Sequence, residues 1–102
     1  MSEIEDIVKE NYPKSYSEFL RYKTETQDED LSRFFRHYNI NISVQSEPYM
    51  DGSHSTFAQS LLINPSTLIW RDSYINGYGK EKRNLENELY LKTFEYLENN
   101  LQ

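Results

Sequence analysis

Hydrophobic residues in the first forty positions recur with helical spacing. The i, i+3, i+4, i+7 pattern is typical of a helix that buries one face. Three stripes follow it: Ile4, Ile7 and Val8; Tyr16, Phe19 and Leu20; and Leu31, Phe34, Phe35 and Tyr38. The pattern therefore predicts two or three N-terminal helices.

Each stripe comes with a hydroxyl residue followed three positions later by glutamate, which is the pattern of a capping box. The three pairs are Ser2 and Glu5, Ser15 and Glu18, and Thr26 and Glu29. They predict that the helices begin there, and Pro13 predicts that the first helix ends near Asn11. Asp28, Glu29 and Asp30 would then lie in the first turn of the third helix, where the helix dipole favours acidic residues.

The period changes to two after Asn39. Ile40, Ile42 and Val44 alternate with polar residues, which predicts a strand. A turn-rich segment, 46–55, separates it from a second predicted strand, 56–63. A type I turn at Pro65 and a third strand, 67–75, follow. A helix that begins at Pro65 is the alternative, because Leu68, Ile69 and Trp70 fit either period.

A long amphipathic helix is predicted from Glu81 or Asn84 to Asn99. Its stripe consists of Leu85, Leu89, Tyr90, Phe94, Leu97 and Leu101. The predicted fold is α+β, with two or three N-terminal helices, a small antiparallel sheet of two to four strands, and this helix packed on the sheet. Residues 1–102 are expected to form a single domain.

The charge is unevenly distributed. The net charge is −6, made up of −5 in residues 1–30, +2 in residues 31–83 and −3 in residues 84–102. There is no cysteine, so disulfides and thiolate chemistry are excluded. The acidic N-terminus lacks the apolar run of a secretory signal, and no run is long enough to span a membrane. A cytoplasmic protein without membrane contact is therefore expected.

These features favour a small, acidic, non-enzymatic protein-binding module that acts as an inhibitor or adaptor. Its acidic residues, Asp28, Glu29 and Asp30 among them, would steer a basic surface of a partner protein, including a nucleic-acid-binding one. The composition is similar to that of small proteins encoded by phages and other mobile elements. No sequence motif indicates a bound cofactor or metal ion.

Lys80, Lys82 and Arg83 precede the last helix, where cations oppose the helix dipole. They either form an anion site or lie in a solvated loop before a helix that starts at Asn84. Together with Arg33 and Arg36 they define an alternative function, a nucleic-acid-associated regulator. Direct nucleic-acid binding is nevertheless disfavoured, because the acidic residues in the first turn of the third helix would repel phosphates.

Two further groups complete the candidates. Asp51 and His54 lie in a polar turn and define a second alternative, a small hydrolase or metal protein, although turn geometry explains the same residues. Trp70, Arg71, Tyr74 and Tyr78 are of residue types that dominate binding hot spots, although burial in the core is favoured for Trp70. A homodimer is predicted if the stripe of the last helix packs against a second copy.

Overall fold

The computed structural model describes residues 3–75 and 79–101, and residues 79–81 by their backbone alone. Helices α1 (Glu3–Asn11), α2 (Pro13–Thr26) and α3 (Leu31–Arg36) precede strands β1 (Ile40–Pro48), β2 (His54–Leu62) and β3 (Thr67–Ile75), and helix α4 (Gly79–Asn100) follows. The predicted α+β fold is confirmed. The alternative of a helix from Pro65 is wrong, because residues 67–75 pair with β2.

The N-terminus of α2 is capped from a distant part of the chain. Glu98 of α4 accepts hydrogen bonds from the backbone N–H groups of Ser15 (2.8 Å) and Lys14 (3.3 Å). The Ser15 side chain is buried, and its hydroxyl donates to the Phe94 carbonyl oxygen at 3.1 Å. The predicted capping box of Ser15 and Glu18 is therefore wrong, because Ser15 lies inside the helix.

The connection from α2 to α3 also differs from the prediction. Helix α2 runs through Thr26, so no helix begins there. Asp30 is the N-cap of α3 and accepts from the backbone N–H groups of Ser32 (2.8 Å) and Arg33 (3.4 Å). Asp28, Glu29 and Asp30 therefore precede the helix instead of forming its first turn. The first predicted capping box includes Ser2, which lies outside the described residues.

The sheet is antiparallel with the strand order β1-β2-β3. One face carries Ile42, Ser60 and Trp70 as neighbours across the three strands. This face packs against α4, since Leu85 and Leu89 of the helix form a buried cluster with Ala58. Ile42, Val44 and Trp70 pack against this cluster. The opposite face carries Phe57, Arg71 and Ile75, and Ile75 is 72% exposed.

A second and larger cluster joins the helices. It contains Val8, Phe19, Phe34, Phe35, Ile40, Phe94 and Leu97, all nearly inaccessible to solvent. Helix α4 thus contributes Leu85 and Leu89 to the cluster on the sheet and Phe94 and Leu97 to the cluster among the helices. Four residues of its apolar stripe are therefore buried within one copy of the chain, whereas Tyr90 and Leu101 are half-buried. The homodimer stays a prediction.

Within residues 3–75 and 79–101, no helix combines the length and the apolar character that crossing a membrane requires.

Candidate functional site

One end of the molecule brings the β1–β2 turn and the start of α4 together. Ser55, just after the turn, pairs with Ile75 at the end of β3. Helix α4 begins four residues later, at Gly79. The turn, residues 49–53, and the first turns of α4 therefore lie at the same end of the sheet. We call this region, with Lys82, Arg83 and the turn, the basic end.

The cations of the basic end lie inside the helix. Because α4 begins at Gly79, the alternative in which Lys80, Lys82 and Arg83 form a loop before Asn84 is wrong. Lys82 is half-buried and Arg83 is exposed. Among the ion pairs between described side chains, none involves either residue. The Lys80 side chain and Tyr78, both predicted site residues, lie outside the described part of the chain.

The turn of the basic end is closed by its own polar groups. Asp51 Oδ1 accepts hydrogen bonds from the Ser53 hydroxyl at 2.6 Å and from the Ser53 backbone N–H at 3.0 Å. These bonds hold the pKa of Asp51 below its ordinary value. Gly52 has a φ of 88°, a conformation that glycine adopts without strain.

The proposed catalytic or metal role of Asp51 and His54 has no support in this geometry. The Asp51 carboxylate already stabilises the turn, and His54 lies in β2 opposite Pro48. Within the described part of the chain, no group of three or more His, Asp or Glu side chains is arranged to hold a metal ion.

Trp70, Arg71 and Tyr74 divide between the two faces of β3. Trp70 is half-buried and packs at the cluster of Ala58 and the α4 leucines, as favoured from the sequence. Tyr74 shares this face and is 40% exposed. Arg71 lies on the opposite face, with its guanidinium carbon 5.8 Å from the centre of the Phe57 ring. These residues therefore do not form one continuous patch.

The Arg33 guanidinium forms ion pairs with two acidic neighbours. Its Nε lies 2.6 Å from Asp28 Oδ2, and its Nη1 lies 3.4 Å from Asp30 Oδ2. The hydrogen bonds from Arg33, with a further one from Tyr22, hold the pKa of Asp28 well below its usual range. The same contacts raise the pKa of Arg33. Arg33 is thus neutralised locally, whereas the neighbouring Arg36 is exposed.

Acidic segments pack against the other half of α4. Tyr12 of the α1–α2 junction donates a hydrogen bond to Glu95 at 3.1 Å, and burial followed by this carboxylate raises the pKa of Tyr12. Glu98 caps α2, as described above. At 1.5 Å per residue, Arg83 and Glu95 are about 18 Å apart along α4. The folded chain therefore separates the basic end from the acidic helices, which we call the acidic end.

The acidic end contains a pocket of about 140 Å³. Buried side chains of α1, α2 and α4 form its floor, and Glu5 and Glu29 lie at its rim. Its lining residues are Ile4, Glu5, Val8, Tyr16, Phe19, Glu29, Leu31 and Phe94. We call it the helical pocket. The sequence does not indicate this pocket, because its walls come from four helices and no local pattern encodes such a long-range arrangement.

Comparison with known proteins does not assign this chain to a family. No family model matches it, no curated protein is significantly similar in sequence, and no solved structure is significantly similar in fold.

Proposed function

We propose that the chain binds the phosphate backbone of a nucleic-acid duplex through its basic end, and that double-stranded RNA is the preferred duplex. The observation that carries this proposal is the unpaired state of Lys82 and Arg83 among the described residues, at the end remote from the acidic helices. The repulsion expected from Asp28 and Asp30 is weakened, because Arg33 pairs with both. It narrows the alternative expected from the sequence, a nucleic-acid-associated regulator that uses Arg33 and Arg36 as well as Lys80, Lys82 and Arg83, and it departs from the expectation that direct nucleic-acid binding is disfavoured.

A duplex is favoured over a single strand. Single strands are held by aromatic side chains that stack on the bases. Phe34 and Phe35, which follow Arg33 in the sequence, are 1% and 0% exposed, so they are not accessible for stacking. In the turn of the basic end Tyr49 is 49% exposed, but one ring stacks on one base and does not form the platform that successive bases of a strand need. An A-form duplex is instead recognised by its shape, through phosphates and the 2′-hydroxyls of its shallow minor groove. The cations of α4 suit phosphates, and the polar turn with Ser53 suits hydroxyls.

The predicted binding is weak and sensitive to salt. Two described cations, Lys82 and Arg83, supply the phosphate contacts. Each neutralised phosphate contributes about −0.9 to the slope of log affinity against log salt for a B-form DNA duplex, so a slope of about −2 is expected. The net charge of −6 adds long-range repulsion, which is strongest at low ionic strength and makes the binding weaker than the two local contacts alone would give.

Fluorescence anisotropy at low salt tests the proposal with double-stranded RNA, double-stranded DNA and single-stranded RNA of about 20 nucleotides per strand. The natural chain should bind double-stranded RNA most tightly. The double variant Lys82→Glu, Arg83→Glu should weaken this binding about tenfold or more, because it replaces both contacts by repulsion.

The control variant is Lys9→Glu, Lys14→Glu, which makes the same change in net charge at two exposed lysines of the acidic end. It should weaken binding far less. Equal losses in the two double variants would show that net charge alone governs binding and would contradict the basic end as the site. Absence of binding to all three nucleic acids at low salt would overturn the function.

A second candidate is the protein-binding role, as an inhibitor or adaptor, through the acidic end. The observation that favours it is the helical pocket, because a concave apolar site with a carboxylate at its rim is suited to an anchoring side chain of a partner. The helical pocket and the basic end have no residue in common. Variants of one site therefore leave the other intact, and the two candidates can be tested separately.

A further inference from the structure

An ammonium group of the chain itself lies beside two of the residues that line the helical pocket, Phe19 and Glu5. Lys23 Nζ lies 4.9 Å from the centre of the Phe19 ring, which is part of the pocket wall. The same atom lies 3.5 Å from Glu5 Oε2, and both side chains are largely shielded from solvent. An aromatic face and a carboxylate together stabilise a partly desolvated ammonium group.

A second carboxylate at the rim has no such partner. Glu29 is exposed, and no ion pair between described side chains involves it. Helix α1, which contributes Ile4, Glu5 and Val8 to the pocket, is itself acidic in its first turn, with Glu3, Glu5 and Asp6. The potential at the pocket entrance is therefore negative and favours a cation over an anion or a neutral group.

The interior is apolar and small. Val8, Phe19 and Phe94 at its floor are almost fully buried. An apolar cavity of about 150 Å³ is large enough for benzene, so a pocket of about 140 Å³ accepts a stem of four methylene groups. Lysine side chains commonly bury such a stem along apolar surface while the ammonium group remains near a carboxylate and water.

We infer that the helical pocket receives a lysine side chain of a protein partner, with the stem against Ile4 and Leu31 and the ammonium group at Glu29. This inference rests on the second candidate function. It identifies the anchor residue of the partner, and it assigns the specificity for a cation to Glu29, while Glu5 pairs with Lys23.

Methyl NMR spectroscopy tests the inference with Nα-acetyl-lysine methylamide as the probe. Saturable shifts are expected for the methyl groups of Ile4, Val8 and Leu31. Nα-acetyl-norleucine methylamide, which has no ammonium group, should bind about threefold more weakly, as expected for loss of an exposed ion pair. Glu29→Gln should remove this difference between the probes, whereas Glu25→Gln, which alters an exposed carboxylate outside the pocket, should preserve it.

Ile4→Phe provides an independent test, because the larger side chain fills the pocket and should abolish saturable binding of both probes. Absence of saturable shifts in the natural chain, equal affinity for the two probes, or unchanged binding by Ile4→Phe would each overturn the inference. A basic protein partner that binds the natural chain and Ile4→Phe equally would leave the protein-binding function standing without the pocket. If the natural chain binds neither the lysine probe nor a basic protein partner, the protein-binding function is removed as well.

Discussion

Two fully buried serines differ in their hydrogen bonding, and this difference predicts opposite effects of the same substitution. Ser15 donates to the Phe94 carbonyl oxygen, whereas Ser60 Oγ has no partner among the described residues. Ser15→Ala should lower the free energy of unfolding by about 1 kcal/mol. Ser60→Ala should leave it unchanged or raise it, because an unsatisfied hydroxyl costs desolvation energy. Urea denaturation measures both, and a loss of about 1 kcal/mol in Ser60→Ala would contradict the assignment.

The sequence identifies the candidate cations but does not rank them. The sequence alone does not distinguish between the four cations Arg33, Arg36, Lys82 and Arg83. Only the folded chain places Asp28 and Asp30 against Arg33, which removes it from the set available to phosphates. The sequence spacing does allow this ion pair, because the acidic residues three and five positions before Arg33 are within reach of its long side chain. The ion pair still depends on how α2 ends and α3 begins.

At the level of secondary structure, the cap on α2 predicts a large effect from a residue distant in sequence. Glu98→Ala removes the acceptor for the N–H groups of Ser15 and Lys14 and should lower the free energy of unfolding by about 1–2 kcal/mol. Glu98→Gln retains an acceptor and should cost less. Glu88→Ala, at an exposed glutamate of the same helix, is the control. Thermal unfolding measures all three, and equal stability of the Glu98→Ala and Glu88→Ala variants would refute the long-range cap.

Elements that bury a periodic face could be predicted from the sequence, and their boundaries could not. The strand 67–75 and the stripe of α4 follow from apolar spacing, which records burial directly. The start of α2 does not, because its cap comes from a residue 83 positions away. The start of α3 was also placed too early: the hydroxyl of Thr26 donates to the Tyr22 carbonyl oxygen at 2.7 Å instead of capping a helix. Local capping patterns compete with such tertiary contacts.

The molecule as a whole is organised by α4, which connects its two buried clusters and its two oppositely charged ends. The sequence showed acidic flanks around a basic middle. It did not show that residues 3–30 fold back onto the second half of α4, so that both acidic flanks meet and Lys82 and Arg83 remain apart. One continuous helix therefore contributes to both clusters, and the stability of the two clusters should be coupled.

Two leucines of α4 allow this coupling to be measured. Leu89 lies in the cluster on the sheet and Leu97 in the cluster among the helices. Replacement of either by alanine should lower the free energy of unfolding by about 2–5 kcal/mol.

Trp70, the single tryptophan, packs at the sheet cluster and reports on it by fluorescence, whereas far-UV ellipticity reports on all helices. If the chain unfolds in one cooperative transition, Leu97→Ala should shift the midpoints of both signals to the same lower urea concentration, and Leu89→Ala should do the same. Leu20→Ala, at a side chain 41% exposed, is the control and should shift the midpoints little. A Trp70 midpoint that stays in place while the ellipticity midpoint falls in Leu97→Ala would show that the clusters unfold separately, because α4 would then fray at the acidic end without releasing the sheet.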